Sequence, residues 1–210
     1  KDNLFQTSVS QAYKYDPNQG YVVENILKKG VGYWLKFNGN QNVNITGNIF
    51  NNLTINVTQG WNMIGTISEQ IDISKITSNP SNIVLSNYFG YDNGYQTVTT
   101  LLPSKGYWVK VSQDGELILQ SNAEQNPEES INLNEFNIIK IKDDSNGYQE
   151  LYFGKTKQNI KEDKTKLPPK LSNTFDVRFE KDKFTQIIPE NSNSLLEYNS
   201  LISLSTWKHK

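Results

Sequence analysis

The sequence predicts an all-β protein, from its composition, its short alternating runs and an internal repeat. The chain has 210 residues, with 27 asparagines and 11 tyrosines but only two alanines, so turn and strand formers are abundant and helix formers are scarce. Apolar and polar residues alternate strictly over residues 53–58, which is the period of a strand with one face in water. Short strands separated by Asn, Gly and Pro are typical of a β-sandwich or barrel.

The internal repeat is a module of about 75 residues that occurs twice. Residues 32–37 are Gly-Tyr-Trp-Leu-Lys-Phe, and residues 106–111 are Gly-Tyr-Trp-Val-Lys-Val, so Tyr107 follows Tyr33 by 74 positions. A repeat at a fixed period defines the architectural unit before any residue is given a role. The repeat therefore predicts that a whole module was copied.

The repeat allows two arrangements of the chain. In the first, residues 1–122 form a duplicated β domain, with copies at about residues 13–65 and 88–139, and residues 123–210 form a C-terminal β-sandwich-like domain. In the second, residues 131–141 complete the second copy, and the duplication fuses into a single pseudo-symmetric body. In both, the chain is all-β.

Each strand is predicted from a short apolar run bounded by turn residues. The predicted strands of the first copy are residues 9–15, 21–26, 31–37, 43–46, 53–57 and 61–64. Those of the second copy are residues 83–91, 95–99, 106–111 and 116–120. Further strands are predicted at residues 131–142, 148–153, 175–179, 184–188 and 201–207.

Turn and linker signals separate these strands. Asp92, Asn93 and Gly94 predict a hairpin, because an Asn-Gly pair tolerates the positive φ angles of a tight turn. Residues 121–130 contain no large apolar residue and indicate a linker. The one predicted helix is short, at residues 71–76, where three isoleucines share one face.

Charge and composition exclude several classes of protein. The net charge of −1 lacks the basic surface expected of a protein that binds nucleic acid or an anionic membrane. No run approaches the roughly 20 apolar residues of a membrane span, so no membrane insertion is expected. Cysteine is absent, which excludes disulfides, thiolate nucleophiles and cysteine-ligated zinc. Because the sequence opens on Lys1, we expect it to be part of a longer protein.

Six segments carry a family resemblance, and they occur in the same order as in that family: residues 60–65, 90–95, 102–110, 151–154, 167–169 and 175–179. In them the chain resembles a β-rich region near the C-termini of large secreted proteins of the Bacteroidetes and Chlorobi lineages, usually exported by the type IX system. The resemblance extends from about Tyr13 to Phe179. It implies an extracellular or cell-surface, non-catalytic module and specifies no ligand. The C-terminal sorting module of that family is not recognisable here, and we expect it to have been cleaved off or to lie beyond this sequence.

Paired aromatic residues are the candidate ligand site. Neighbouring side chains of a strand point to opposite faces, so one ring of each Tyr-Trp pair should be buried and the other is available to face outward. The favoured interpretation is that the tryptophans fill the core and the tyrosines lie at its rim, since aromatic rings bury large areas. The alternative is an exposed aromatic stripe that binds carbohydrate. Its candidate residues are Tyr33, Trp34, Tyr91, Tyr95, Tyr107 and Trp108.

Acidic turns provide closely spaced oxygen atoms, at residues 16–20 and 143–146. Neither turn is followed by the bidentate glutamate that completes a calcium loop, so hairpin turns explain both more simply. We expect no metal and no cofactor.

Catalytic constellations are not recognisable. The only histidine, His209, is next to the C-terminal residue, which leaves a Ser-His-Asp triad without a credible base. Glu128 and Glu129 lie in the polar linker, where a solvated charge run is favoured over a pair of glycosidase carboxylates. Arg178, the only arginine, lies between Asp176 and Glu180 and predicts a structural ion pair.

The sequence therefore predicts a non-catalytic structural or accessory module of a secreted, cell-surface protein, acting as a spacer, a stabiliser or an assembly contact. Its expected partners are other subunits or the remainder of a larger surface protein. The alternative is a carbohydrate-binding module whose partners are glycans. A hydrolase is disfavoured because it lacks a base.

Overall fold

The computed structural model describes residues 1–125, 130–172 and 174–189, together with the backbone of residues 203–204. Within these ranges the chain forms short strands, and its helices are four 3-10 helices of three or four residues each. The prediction of an all-β, sandwich-like protein is confirmed. Among the described residues, no helix has the length and apolar character needed to cross a membrane. His209, Glu128, Glu129 and most of the predicted strand 201–207 lie outside the described residues.

Sixteen strands are present in the described part of the chain. They are β1 (Tyr13–Asp16), β2 (Gly20–Val23), β3 (Asn52–Val57), β4 (Gly60–Ile64), β5 (Ile71–Asp72), β6 (Ile76–Asn79), β7 (Tyr88–Tyr91), β8 (Tyr95–Val98), β9 (Thr100–Leu101), β10 (Tyr107–Val111), β11 (Gly115–Gln120), β12 (Asn137–Lys142), β13 (Tyr148–Gly154), β14 (Val177–Arg178), β15 (Thr185–Ile187) and β16 (Ser203–Leu204). The 3-10 helices are Ile73–Lys75, Leu133–Glu135, Glu162–Thr165 and Glu180–Asp182.

The chain divides into two compact units. The first unit comprises Lys1–Tyr88 and Val98–Glu128, and the second comprises Phe89–Thr97 and Glu129–Lys210. The nine residues around the β7–β8 turn thus belong with the C-terminal part of the chain. The division of the sequence at residues 122 and 123, and the duplicated module, stay predictions.

The core of the first unit lies between two groups of paired strands. β11 pairs with β3 on one side and β6 on the other, while β10 pairs with β4, all antiparallel. Leu117 and Leu119 of β11 and Val109 of β10 are fully buried in one apolar cluster. Burying each of these side chains contributes about 1.5–3 kcal/mol. β3 shows the predicted alternation, because Ile55 and Val57 are buried in this cluster while their neighbours are exposed.

Residues 31–37 do not form the predicted strand. They change partner along their length, with isolated bridges that join Val31 to Ile64, Trp34 to Tyr13 and Phe37 to Ser8. A continuous ladder needs consecutive residues that pair on one neighbouring strand. Trp34 and Phe37 both lie beside the N-terminal stretch, but they are three positions apart while their partners Tyr13 and Ser8 are five apart, so the pairing is interrupted. The predicted strand 43–46 is exposed and forms no strand either.

The predicted helix 71–76 is divided between three elements. Ile71 pairs with Leu101 in the short β5–β9 ladder, one 3-10 turn follows at Ile73–Lys75, and Ile76 pairs with Leu119 of β11. The Asp72 carboxylate accepts a hydrogen bond from the Ser74 N–H at 2.8 Å, which caps the turn. Pairing on both sides of the turn outweighs the helical pattern of the isoleucines.

The second unit is built around β13, which pairs antiparallel with β12 and parallel with β15. Leu151 in the middle of β13 is fully buried, and Phe184, just before β15, packs edge-to-face on Tyr152. The β7–β8 turn lies at the start of β13, where the Tyr148 N–H donates to the Asn93 carbonyl at 2.8 Å.

The β7–β8 turn uses its two predicted residues in different ways. Asn93 has a φ of 55°, the left-handed conformation that asparagine tolerates better than most residues. Gly94 is required for a different reason, because a Cβ atom there would overlap the backbone carbonyl of Tyr148. Glycine therefore lets the hairpin approach β13 closely.

Replacing Gly94 by alanine should destabilise the protein by about 1–3 kcal/mol, since the new methyl group meets backbone atoms that cannot move aside. The measurement is the free energy of unfolding in urea. Gly47→Ala is the matched control, because a Cβ atom at Gly47 would meet nothing within 4 Å. Equal stability of the two variants would contradict the close approach.

Candidate functional site

Tyr33 and Tyr107 occupy the same kind of turn in the two halves of the repeat. The Tyr33 hydroxyl accepts a hydrogen bond from the Lys28 N–H at 3.0 Å, and the Tyr107 hydroxyl accepts one from the Leu102 N–H at 2.7 Å. In both turns the donor lies five residues upstream of the tyrosine. The phenols therefore satisfy turn backbone groups that would otherwise lack a partner.

The same two turns share their backbone geometry. Gly30 has a φ of 78°, and Ser104, 74 positions later, has a φ of 62°. The glycines that precede the two tyrosines also lie against each other, because a Cβ atom on Gly106 would lie 3.6 Å from the Cα atom of Gly32. The matching residues of the repeat thus meet in the first unit.

Both faces of β10 are covered. Tyr107 is 4% exposed and belongs to the apolar cluster of the first unit. Trp108, on the opposite face, is 2% exposed and contacts three rings edge-on, with centroid distances of 4.9 Å to Tyr15, 6.2 Å to Tyr21 and 6.4 Å to Trp61. Neither ring of this pair is presented outward, because the tyrosines of the β1–β2 hairpin and the side chain of Trp61 cover Trp108.

Tyr91 and Tyr95 lie in the second unit and contact each other edge-on, with ring centroids 5.2 Å apart. The Tyr91 hydroxyl donates to the Phe175 carbonyl at 3.1 Å, and the Tyr95 hydroxyl donates to the Pro169 carbonyl at 2.8 Å. Tyr95 is 3% exposed. These tyrosines attach the β7–β8 turn to the segment that precedes β14.

The side chain of Gln149 holds the backbone of Tyr95. Its Oε1 accepts from the Tyr95 N–H at 2.9 Å, while its Nε2 donates to the Tyr95 carbonyl at 2.8 Å and to the Glu150 carbonyl at 3.2 Å. Gln149 is buried. Its amide makes the two backbone hydrogen bonds that water or a further neighbouring strand would otherwise have to make with β8 at this position. We call this pair of hydrogen bonds the Gln149 clasp.

Five of the six candidate residues make ring contacts or side-chain hydrogen bonds within the units, and Trp34 is joined to Tyr13 through its backbone. Tyr95, Tyr107 and Trp108 are buried, and Tyr33, Trp34 and Tyr91 are half-buried. Of the six, Tyr91 and Tyr95 are in ring contact. Carbohydrate binding by this set stays a prediction.

A cavity of about 260 Å³ lies in the second unit between β8 and β13. We call it the Glu150 pocket, and its lining residues are Phe89, Tyr95, Gln96, Thr97, Tyr148, Gln149, Glu150, Tyr152 and Phe184. Sequence reasoning missed Tyr148, Glu150 and Tyr152, although their i, i+2, i+4 spacing on a predicted strand places them on one face. That spacing was the available signal.

Glu150 is held by three partners. Both neighbouring phenols donate to its carboxylate, Tyr148 to Oε1 and Tyr152 to Oε2, the latter at 2.7 Å. Lys140, its cross-strand neighbour on β12, is 3.3 Å away. The hydrogen bonds from Tyr148 and Tyr152, with the charge of Lys140, lower the pKa of Glu150, whereas burial and Glu150 raise the pKa of Tyr152. Glu150 is therefore ionised and both phenols are neutral near pH 7.

Arg178 forms the predicted structural ion pair. Its guanidinium donates to both carboxylate oxygens of Asp176, from Nε at 2.7 Å and from a terminal nitrogen, and both residues are buried. The other terminal nitrogen donates to the Pro168 carbonyl at 3.0 Å and to Asp182 at 3.2 Å, so the second acidic partner is Asp182 and not Glu180. Burial lowers the pKa of Arg178, but Asp176 and Asp182 together raise it by more than burial lowers it, so the pKa lies above its ordinary value.

The acidic turns use their carboxylates on their own backbone. Asp16 accepts from the N–H groups of Asn18 and Gln19, and Asp143 accepts from those of Ser145 and Gly147. Such bonds are typical of Asx turns. Within the described residues, no group of three or more acidic or histidine side chains is arranged to hold a metal ion.

Removing the charge of Asp176 with Asp176→Asn should destabilise the protein by about 3–5 kcal/mol, because it leaves the Arg178 charge buried without its partner. The free energy of unfolding in urea measures the effect. Asp182→Asn is the matched control and should cost less than about 1 kcal/mol, since the Asp182 side chain is 64% exposed. Similar losses in both variants would contradict this division.

Glu150 should make stability depend on acidity. A carboxyl group whose pKa is lowered by folding stabilises the protein above its unfolded pKa, and this contribution is lost as the pH falls through its folded pKa. We expect the Glu150 side-chain carbon to titrate below the ordinary 4.5 in an NMR experiment. As the pH falls through this range, the Glu150→Gln variant should therefore lose less stability than the unmodified protein. A midpoint at or above 4.5 would contradict the hydrogen-bonded arrangement.

Comparison of the chain with protein-family models, with curated proteins and with solved structures finds no match in any of the three. The family resemblance therefore stays a prediction that the sequence motifs alone support.

Proposed function

We propose that this chain is a non-catalytic structural module of a secreted, cell-surface protein, and that it acts as a spacer and stabiliser for the rest of that protein. The Gln149 clasp is the observation that carries this proposal. In it, the buried amide of Gln149 holds the backbone of Tyr95, in the most distinctive hairpin motif of the sequence, against β13. The motif residues serve the integrity of the fold.

Other contacts of the same hairpin support the proposal. Phe89 packs edge-to-face on Phe184 at 5.6 Å, and the hydroxyls of Tyr91 and Tyr95 donate to backbone carbonyls of the second unit. Each buried hydrogen bond contributes roughly 1 kcal/mol, and loss of a partner costs more than that. The hairpin is held by several independent contacts, as a stabilising module requires.

Duplication is part of the proposal. The two Gly-Tyr-Trp segments share a phenol-to-backbone hydrogen bond and a left-handed residue at equivalent positions, and these support descent of both turns from one module. In the second copy the segment is strand β10, whereas in the first it forms isolated bridges to Ile64 and to the N-terminal stretch. Secretion by the type IX route and a cell-surface location are also proposals, supported by the six sequence segments.

The stabilising role is tested with a reporter enzyme fused ahead of Lys1. Gln149→Ala leaves the N–H and carbonyl of Tyr95 buried without partners, so it should lower the free energy of unfolding by about 2–4 kcal/mol. The reporter in this variant should be degraded several-fold faster by added protease than the reporter fused to the unmodified chain.

Gln96→Ala is the matched control, because Gln96 is an exposed glutamine on β8, next to Tyr95, and its replacement should leave both readings unchanged. Equal survival of the reporter in all three fusions, despite lower stability of Gln149→Ala, would contradict the stabilising role. Turnover of glycoside or peptide substrates by the purified chain would contradict the non-catalytic assignment.

Carbohydrate binding by half-buried aromatic residues is the second proposal, and the partial exposure of Tyr33, Trp34 and Tyr91 supports it. A polysaccharide array should then retain the chain, and a Tyr33→Ala, Trp34→Ala double variant should lose most of that retention. Unchanged retention in the double variant, or none in the original chain, would refute it.

A further inference from the structure

We propose that the Glu150 pocket binds one neutral sugar ring, a single hexopyranose or the end residue of a glycan. This site differs from the six aromatic residues considered above, apart from Tyr95 in its lining. It goes beyond the structural role, which does not depend on it.

The pocket combines the two surfaces that a sugar ring needs. Tyr152 offers the accessible aromatic surface, because it is half-buried, whereas Phe184 and Phe89 are 3% and 1% exposed. Phe184 supports the Tyr152 ring edge-on at 6.1 Å and packs edge-on against Phe89 at 5.6 Å. Gln96 and Thr97 on β8 place exposed amide and hydroxyl groups at its wall. Aromatic walls with a few convergent polar groups are typical of small-molecule sites.

The hydrogen-bonding state of the pocket selects the ligand. Both phenols give their protons to Glu150, so Tyr148 and Tyr152 keep only oxygen lone pairs for other groups. An ionised carboxylate accepts hydrogen bonds and donates none. The pocket therefore presents several acceptors close together and favours a ligand rich in O–H donors.

Charge distinguishes a sugar from an ammonium ion, which is also rich in donors. Lys140, 3.3 Å from the carboxylate, already compensates the charge of Glu150. Lys140 would repel a cationic ligand, and Glu150 would repel an anionic one. The balanced pair is suited to a neutral ligand.

The size of the cavity restricts the ligand to one ring. Its volume of about 260 Å³ lies just below the range of roughly 300–1,000 Å³ that drug-sized ligands occupy. One pyranose ring is small enough for such a cavity, and any further residue of a glycan would extend into solvent.

The test is an NMR titration of the full chain with D-glucose, D-galactose and D-mannose, each compared with D-glucuronate and choline. We expect saturable shifts of the Gln149 side-chain amide and the Thr97 N–H with at least one neutral hexose. We expect glucuronate and choline to bind several-fold more weakly.

Two pocket variants locate the binding. Glu150→Gln should weaken the hexose by about tenfold, since it removes a charged acceptor, and Tyr152→Phe by about fivefold. Tyr13→Phe, in the first unit, and Glu180→Gln make the same chemical changes outside the pocket and should bind as the unmodified chain does. If Glu150→Gln does not fold, Tyr152→Phe keeps the test decisive.

The proposal is overturned if no hexose shifts these signals, if the pocket variants bind as well as the controls, or if choline binds more tightly than every hexose. None of these results would affect the structural role, because that role is tested by Gln149→Ala and by survival of the reporter.

Discussion

The second unit depends on a buried amide that satisfies two backbone groups at once. The Gln149 side chain accepts from the N–H of Tyr95 and donates to its carbonyl, so a stretch of chain from the middle of the sequence is completed by a side chain of β13. Backbone polar groups are costly to bury without partners, and here only one orientation of the amide provides both. Phe89 and Tyr95 can be buried because this pairing removes that cost.

Buried polar contacts recur in the second unit and make its packing specific. Arg178 and Asp176 are buried together, and Arg178 also donates to Asp182 and to the Pro168 carbonyl. The contacts of Glu150 with two phenols and Lys140 are partly exposed, since the Glu150 side chain is 28% and the Lys140 side chain 61% exposed. Buried networks of this kind stabilise a protein little compared with apolar packing of the same shape, but misplacing one partner lowers the free energy of unfolding strongly. The first unit is different, because its core is an almost entirely apolar cluster with Leu117 and Leu119 at its centre.

Local signals predicted much of this fold. Strict alternation located β3, and the Asp-Asn-Gly turn located the β7–β8 hairpin, because both depend on neighbours in sequence. Residues 31–37 carried an equally strong pattern and failed, since Val31 bridges to Ile64 while Trp34 and Phe37 bridge, at uneven spacing, to the N-terminal stretch. The Glu150 pocket was missed for the same reason. Its strand face was readable, but Phe184 and the approach of β8 through Gly94 are distant in sequence.

The interleaving of the two units constrains how the gene can change. The second unit takes Phe89–Thr97 from within the sequence of the first, so a single crossover between Phe89 and the linker cannot transfer a complete second unit to another protein. Exchange at the linker would supply Gln149 without the Tyr95 backbone that it holds. The pair must be inherited together, and the shortest stretch that carries the second unit intact begins at Phe89 and continues past β15, so it includes the part of the first unit that starts at Val98.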